Sequence, residues 1–143
     1  MNSIIRLLQL QFLPRSVDAG LLVLRLWFGV MMFTHGYAKL TGFSGMVAKF
    51  PPLFGLPPAA GLGLAVFAEV VCSFLVVIGL YTRFASAMIA VTMTVAFVVA
   101  HKASLTPGPG SGELAFIYLG AFLTLLIAGA GRFSLDAKIS PAR

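Results

Sequence analysis

The chain has 143 residues, of which 59% are hydrophobic and only 10% are charged, with a formal net charge of +6. This composition excludes an ordinary soluble globular domain, and the length is that of a single domain. The lysines and arginines are scattered singly between apolar stretches, so they predict orientation signals in a membrane and no nucleic-acid partner. The single cysteine, Cys72, excludes an intrachain disulfide and a four-thiolate site, and we predict no metal centre.

Three regions are predicted along the chain. Residues 1–16 are apolar, are interrupted by an arginine and two glutamines, and are too short to span a bilayer, so we expect an interfacial segment that lies on the membrane. A membrane domain over 17–136 follows. The chain then ends in a polar tail over 137–143.

Four apolar segments are predicted to span the membrane, because a spanning helix needs about 20 mainly apolar residues. They lie near 20–40, 59–80, 84–100 and 113–130. Since they leave no room for a soluble catalytic domain, the predicted fold is an all-α, polytopic bundle of four transmembrane helices.

The first span carries ionisable residues, which are costly in a bilayer and indicate a functional site by default. At 100° per residue, a polar and glycine-containing stripe covers roughly a third of the helix circumference. The stripe consists of Arg25, Phe28, Gly29, Met32, His35, Gly36 and Lys39. We expect it to face partner helices.

The segment 41–58 has four prolines and three glycines in eighteen residues and cannot form a transmembrane helix. Its apolar side chains argue against a freely solvated loop. We expect it to fold back on the membrane surface, with one or two helical turns around 44–50, where it could roof a cavity between helices. A hydrophobic loop that rests at the interface with no ligand beneath it is the alternative.

Glu69 lies at the centre of the second span, where a charge would cost about 2.5–3.5 kcal/mol. Gly61 and Ala65 precede it at intervals of four and narrow that side of the helix, so Glu69 is predicted to face the bundle. His101 ends the third span and Glu113 begins the fourth. Interactions with the helix dipoles could explain both of these residues without a ligand.

The distribution of positive charge predicts the orientation of the bundle. With a cytoplasmic N-terminus, six basic residues lie inside, three lie outside, and Arg25 lies in the membrane. The inside set is Arg6, Arg15, Arg83, Arg132, Lys138 and Arg143, and the outside set is Lys39, Lys49 and Lys102. We therefore predict a multi-pass protein of the bacterial cytoplasmic (inner) membrane with both termini in the cytoplasm.

Three stretches resemble the DoxX family of small four-helix membrane proteins. They are RLWFGVMMFTHGYAKLTGF in the first span, AEVVCSFLVVIGLYTRFASAMIAVTM across the second and third, and GRFSLD near the end. The resemblance extends from about Gly20 to Asp136. It implies a place in a membrane oxidoreductase complex, because the family includes subunits of thiosulfate:quinone oxidoreductase.

Side chains lean toward the N-terminus of their own helix, which decides which intramembrane charges can meet. With the first helix starting at Gly20 and the second ending at Leu80, His35 and Glu69 lean toward each other, and we predict that they pair. Arg25 and Glu69 diverge, so Arg25 is predicted to reach the inner boundary or to bond carbonyls there.

This pair would lie in a proton-coupled binding site in the outer half of the bundle. A quinone that accepts electrons also takes up protons, and a histidine held by a carboxylate is a suitable donor, so His35 and Glu69 are the predicted catalytic residues. The predicted substrate-binding residues are Arg25, Lys39, Tyr118, His101 and Glu113. The alternative is a structural clamp in which His35 and Glu69 only satisfy each other.

Two functions from different classes are therefore predicted. One is a quinone-binding redox subunit with a partner oxidoreductase subunit, and the other is a non-catalytic scaffold, assembly or stress-response module whose polar stripe sets helix register. Haem held by His35 and His101 is a third hypothesis, which two histidines in a chain of this length do not by themselves support. The apolar fourth span leaves room for a homo-oligomer in the lipid bilayer.

Overall fold

The computed structural model describes residues 16–139, and this part of the chain is all-helical with no strand. The helices are α1 (Val17–Thr41), α2 (Phe43–Val47), α3 (Pro58–Ile78), α4 (Thr82–Ala100), α5 (Glu113–Ala128) and α6 (Leu135–Ile139). Apart from Ser16, the interfacial segment predicted over 1–16 lies outside the described residues.

Three helices are long and apolar enough to cross a membrane: α1 with 25 residues, α3 with 21 and α4 with 19. The helix α5 is also apolar but has 16 residues, which span about 24 Å against a hydrocarbon core of about 30 Å. Large apolar side chains are exposed along all four of these helices. The protein is therefore an all-helical membrane protein with three to four helices able to span the bilayer.

The helix boundaries follow from local sequence. The Ser16 side chain accepts a hydrogen bond of 3.1 Å from the Ala19 amide and caps α1. Proline occupies the first turn of α3, where its missing N–H costs nothing. The helix α3 ends at Gly79, whose φ of 72° is left-handed and favours glycine.

The stripe predicted on α1 does face the bundle. Its buried members are Arg25, Gly29, Met32 and Gly36, which follow one another at intervals of three or four. A Cβ added at Gly36 would lie 2.6 Å from the carbonyl carbon of Glu69, so glycine here lets α1 approach the backbone of α3. Gly29 makes a similar approach to Ser73 and Val77.

Two helices contain a stretch of π-helix, Phe67–Cys72 within α3 and Ala96–Ala100 at the end of α4. A π turn inserts an extra residue, re-aims the side chains near it and is frequently found at functional sites. In α3 the Ser73 hydroxyl donates to the carbonyl oxygens of Glu69 and Val70 within this stretch. Glu69 therefore projects from an irregular part of its helix.

The two ends of the bundle differ in construction. At the end we call the loop end lie the connections 42–57 and 101–112, and the short helix predicted around 44–50 is α2, Phe43–Val47. At the other end, the termini end, lie the start of α1, the connection 79–81 and the segment 129–139. The helix α6 crosses the predicted boundary at 136 and begins the stretch predicted to be a polar tail.

Candidate functional site

A cleft of about 460 Å³ lies between α3 and α4 at the loop end. Its lining consists of Lys39, Phe50, Pro51, Leu53, Phe54, Leu56, Gly61, Leu64, Ala65, Glu69, Met88, Val91, Thr92, Val95, Ala96, Val99, Ala100 and His101. Most of these side chains are apolar, as in typical small-molecule sites of 300–1,000 Å³. The proline-rich segment 50–56 contributes to this lining, which confirms that it covers a cavity between helices.

An ion pair between Lys39 and Glu69 is the most polar part of this lining. The Lys39 ammonium donates to Glu69 Oε1 over 2.5 Å. Glu69 is 1% exposed, whereas about a third of the Lys39 side chain remains accessible. The second carboxylate oxygen, Oε2, is buried and has no hydrogen-bond partner among the described residues.

The packing of α1 against α3 explains why Lys39 reaches Glu69. Gly36 lies directly against the Glu69 backbone, so the two helices touch at this level. Lys39 is one turn further along α1, and its side chain leans back toward the N-terminus of the helix. The Glu69 side chain leans toward the N-terminus of α3, which lies at the loop end, so the two side chains converge between the levels of Gly36 and Lys39.

The predicted pair between His35 and Glu69 is wrong, because Glu69 Oε1 bonds Lys39 and Oε2 has no partner in the described chain. At 100° per residue, His35 points about 100° away from Gly36, which faces Glu69. His35 instead sits at the rim of the buried stripe, exposed, with its ring edge-on to Tyr118 at a centroid distance of 5.7 Å. Phe28, on the same rim, meets Tyr118 in the same way at 5.8 Å.

The other predicted site residues divide between the cleft and its surroundings. His101 belongs to the cleft lining, and its Nδ1 lies 2.9 Å from the carbonyl oxygen of Gly110. Tyr118 is buried in the core beside α1 and is not part of the lining. Glu113 is exposed in the first turn of α5, also outside the lining. The structure thus brings Lys39, Glu69 and His101 to one cleft.

Arg25 lies at the termini end, and all of its side-chain hydrogen bonds to the described residues go to backbone carbonyls. Its guanidinium donates to four carbonyl oxygens, on Val76, Val77, Ala130 and Phe133, at 2.6–3.2 Å. The predicted bonding to carbonyls is confirmed. Four of the five guanidinium N–H donors are engaged in this way, so Arg25 connects the end of α3 to the segment after α5. Its predicted role in substrate binding stays a prediction.

A second hollow, of about 950 Å³, lies at the termini end, and two of its carboxylates hold separate parts of the chain together. Asp136 accepts from the amides of Tyr81 and Thr82 at 2.7 and 2.9 Å and so caps α4 from a distant part of the chain. Asp18 accepts from the Arg132 amide at 2.8 Å. Both contacts involve the GRFSLD stretch at 131–136, which therefore ties the chain after α5 to the starts of α1 and α4.

Sequence reasoning missed most of the cleft wall. The apolar residues of α4 that form it, Val91, Val95 and Val99, recur at intervals of four, which is a usable signal. Thr92 also lines the cleft, but its hydroxyl donates to the Met88 carbonyl at 3.0 Å and is occupied. Within residues 16–139, no three histidine, cysteine or carboxylate side chains cluster as metal ligands would.

Comparisons with known proteins place the chain in a family. The DoxX family model matches residues 20–102, a range that contains every residue of the cleft lining. No solved structure matches the chain.

Several relatives have similar lengths. An uncharacterised protein of Haemophilus influenzae is 32% identical over 125 residues, covering 84% of this chain and 83% of that protein. The Escherichia coli "Inner membrane protein YphA" is 32% identical over 124 residues, covering 82% and 89%. The Bacillus subtilis "Putative oxidoreductase CatD" is 29% identical over 122 residues, covering 85% and 88%. Since the family model covers more than half of the chain and these relatives align along most of it, the protein belongs to the DoxX family of membrane proteins.

Proposed function

We propose that this protein is a subunit of a quinone-linked membrane oxidoreductase and that its cleft holds the quinone. The observation that carries the proposal is an apolar cleft of about 460 Å³ with the partly buried Lys39–Glu69 pair in its wall. Such a cleft suits a ligand that is apolar along most of its surface and polar at one end. The name of the Bacillus subtilis relative, "Putative oxidoreductase CatD", is consistent with this class of reaction.

The polar residues of the cleft suit the ends of a quinone ring. A quinone supplies a two-electron, two-proton acceptor when bound, and its electrons would come from a partner redox subunit. The Lys39 ammonium has N–H groups beyond the one bonded to Glu69, and they can donate to a ring oxygen. Glu69 holds that ammonium in place. His101 lies at the loop-end part of the same lining and can serve as a proton donor or acceptor toward water.

A membrane-soluble ligand can reach the cleft from the side. Leu64 on α3 and Val91 and Val99 on α4 line the cleft and are also exposed on the apolar surface of the bundle. We infer that the groove between α3 and α4 opens toward the lipid. This route needs no polar entrance, which is what a quinone dissolved in the bilayer requires.

The proposal predicts that filling the cleft abolishes quinone binding without unfolding the protein. Ala65→Phe adds a ring inside the cleft, and Lys39→Met removes its donor. We expect both variants to lose quinone binding and the activity of the complex. Gly120→Phe is the matched control, because this exposed glycine of α5 has open space around it and its variant should behave as the wild type. Equilibrium binding of a short-chain benzoquinone to each purified variant is the measurement.

The competing proposal is a scaffold in which the Lys39–Glu69 pair only clamps α1 to α3. The short interhelical contact at Gly36 favours it, since such a contact needs no ligand. Under this alternative, Ala65→Phe and Lys39→Met keep full activity in the assembled complex and change only the melting temperature. That outcome would overturn the quinone proposal.

We also propose that the termini end faces the cytoplasm of a bacterial cell, as the excess of basic residues there favours. In a Cys72→Ala background, an impermeant thiol reagent added to intact cells should label Lys49→Cys at the loop end. It should leave Lys138→Cys unlabelled until the cells are opened. Labelling of Lys138→Cys in intact cells would reverse the orientation and would put the cleft in the cytoplasmic half.

A further inference from the structure

The two oxygens of the Glu69 carboxylate are in different situations. Oε1 accepts from Lys39, whereas Oε2 is buried without a hydrogen-bond donor from any described residue. Glu69 belongs to the cleft lining, so a ligand in the cleft lies beside this residue. A buried acceptor of this kind favours any ligand that brings a donor, because an unpaired charged oxygen is expensive to bury.

The remaining polar groups of the cleft do not supply that donor. The Thr92 hydroxyl donates to the Met88 carbonyl, and the ring of His101 is held at the Gly110 carbonyl. A ligand group at the pair would therefore be offered N–H donors by Lys39 and an acceptor, Glu69 Oε2, that no described residue uses. Among neutral oxygen groups, a hydroxyl can accept and donate at once, while a carbonyl can only accept.

We propose that the cleft selects the reduced, dihydroxy form of its ligand, the quinol, over the quinone, with one ring hydroxyl accepting from Lys39 and donating to Glu69 Oε2. This inference rests on the proposed function, since it specifies which redox state the same site prefers. The ring and its substituents would lie along the apolar wall between α3 and α4, whose opening to the lipid suits a membrane-soluble ligand.

The preference has a consequence for electron transfer. Reduction takes one quinone, two electrons and two protons to one quinol, so tighter binding of the quinol favours the reduced side of this balance. Each tenfold preference raises the midpoint potential of the bound couple by about 30 mV. A site built in this way makes the bound quinone a stronger electron acceptor than free quinone.

The test compares two redox states of one probe on the purified, full-length protein. A short-chain benzoquinone and its quinol are titrated anaerobically, and so is the dimethyl ether of the quinol, which carries a methoxy group in place of each hydroxyl donor. We expect the quinol to bind at least about tenfold more tightly than the quinone or the ether. Glu69→Gln should bring the ratio of quinol to quinone affinity close to one, because the amide can donate to a carbonyl as well as accept. Asp18→Asn, the same chemical change at the termini end, should leave the ratio as in the wild type.

The outcomes separate this inference from the function on which it rests. Equal affinity for both redox states, or a preference for the quinone, overturns the inference and leaves the quinone site standing. Equal affinity for the quinol and its ether overturns the role of Glu69 Oε2. If neither form binds, or if a phospholipid occupies the cleft and quinol does not displace it, the proposed function itself is wrong. The ether comparison uses only the wild type, so it remains decisive if Glu69→Gln fails to fold.

Discussion

Arg25 at the termini end and Glu69 at the loop end are both almost fully buried, each with 1% of its surface exposed, but their surroundings differ. Arg25 donates to four carbonyls drawn from the end of α3 and from the segment after α5. Among the described residues, the Glu69 carboxylate has one partner, Lys39, and one oxygen without a hydrogen-bond donor, and the residue lines a cleft. A buried charge whose hydrogen bonds are nearly all made within the chain holds the fold, whereas one with a free oxygen at a cavity can hold a ligand.

The largest expected effect is a loss of stability when the Arg25 hydrogen bonds are removed. Arg25→Met should lower the free energy of unfolding by about 3 kcal/mol or more, because it leaves several buried carbonyls without donors. Denaturant unfolding in mild detergent would measure it. Arg132→Met is the matched control, since this arginine at the same end is exposed and its ion pair with Asp18, at 3.7 Å, should contribute less than about 1 kcal/mol.

The same measurement on Glu69→Gln sharpens the comparison. Its stability should stay within about 1 kcal/mol of the wild type, because the amide oxygen can still accept from Lys39 and the buried charge is removed. Lys39 is partly exposed and can move its ammonium toward water. If Glu69→Gln lost as much stability as Arg25→Met, both charges would be structural, and the distinction between the two ends would fail.

A smaller effect is expected at the contact between α1 and α3. Gly36→Ala places a methyl group 2.6 Å from the Glu69 carbonyl carbon, so the helices must move apart, at a cost of about 1–3 kcal/mol. The shift should also displace the Lys39–Glu69 pair and weaken quinone binding. Gly63→Ala, in α3 with open space around it, should be neutral or slightly stabilising. A Gly36→Ala protein with unchanged melting temperature and binding would show that this contact does not position the pair.

The sequence by itself determined the class and the helices of this protein. Apolar segments of about 20 residues are unfavourable in water and match the thickness of a bilayer. The membrane location and the approximate bounds of α1, α3 and α4 therefore follow from composition and length. The 100° periodicity of α1 likewise marked Arg25, Gly29, Met32 and Gly36 as its buried face. These properties depend on the sequence of each segment alone and not on how the helices pack.

The partner of each charge was decided by the tertiary structure. Aligning Gly20 with Leu80 puts Glu69 opposite Met31, but the observed packing puts it opposite Gly36, a slide of five residues or about 7.5 Å. Because of this difference in register, and because His35 lies at the rim of the buried stripe beside Tyr118, Glu69 pairs with Lys39 and not with His35.

The cleft between α3 and α4 was likewise decided by packing. Small residues spaced along a helix permit several registers, and only the fit of whole helices against one another selects one of them. The helices that form the cleft walls, and the oxygen of Glu69 that stays free beside them, depend on that selection.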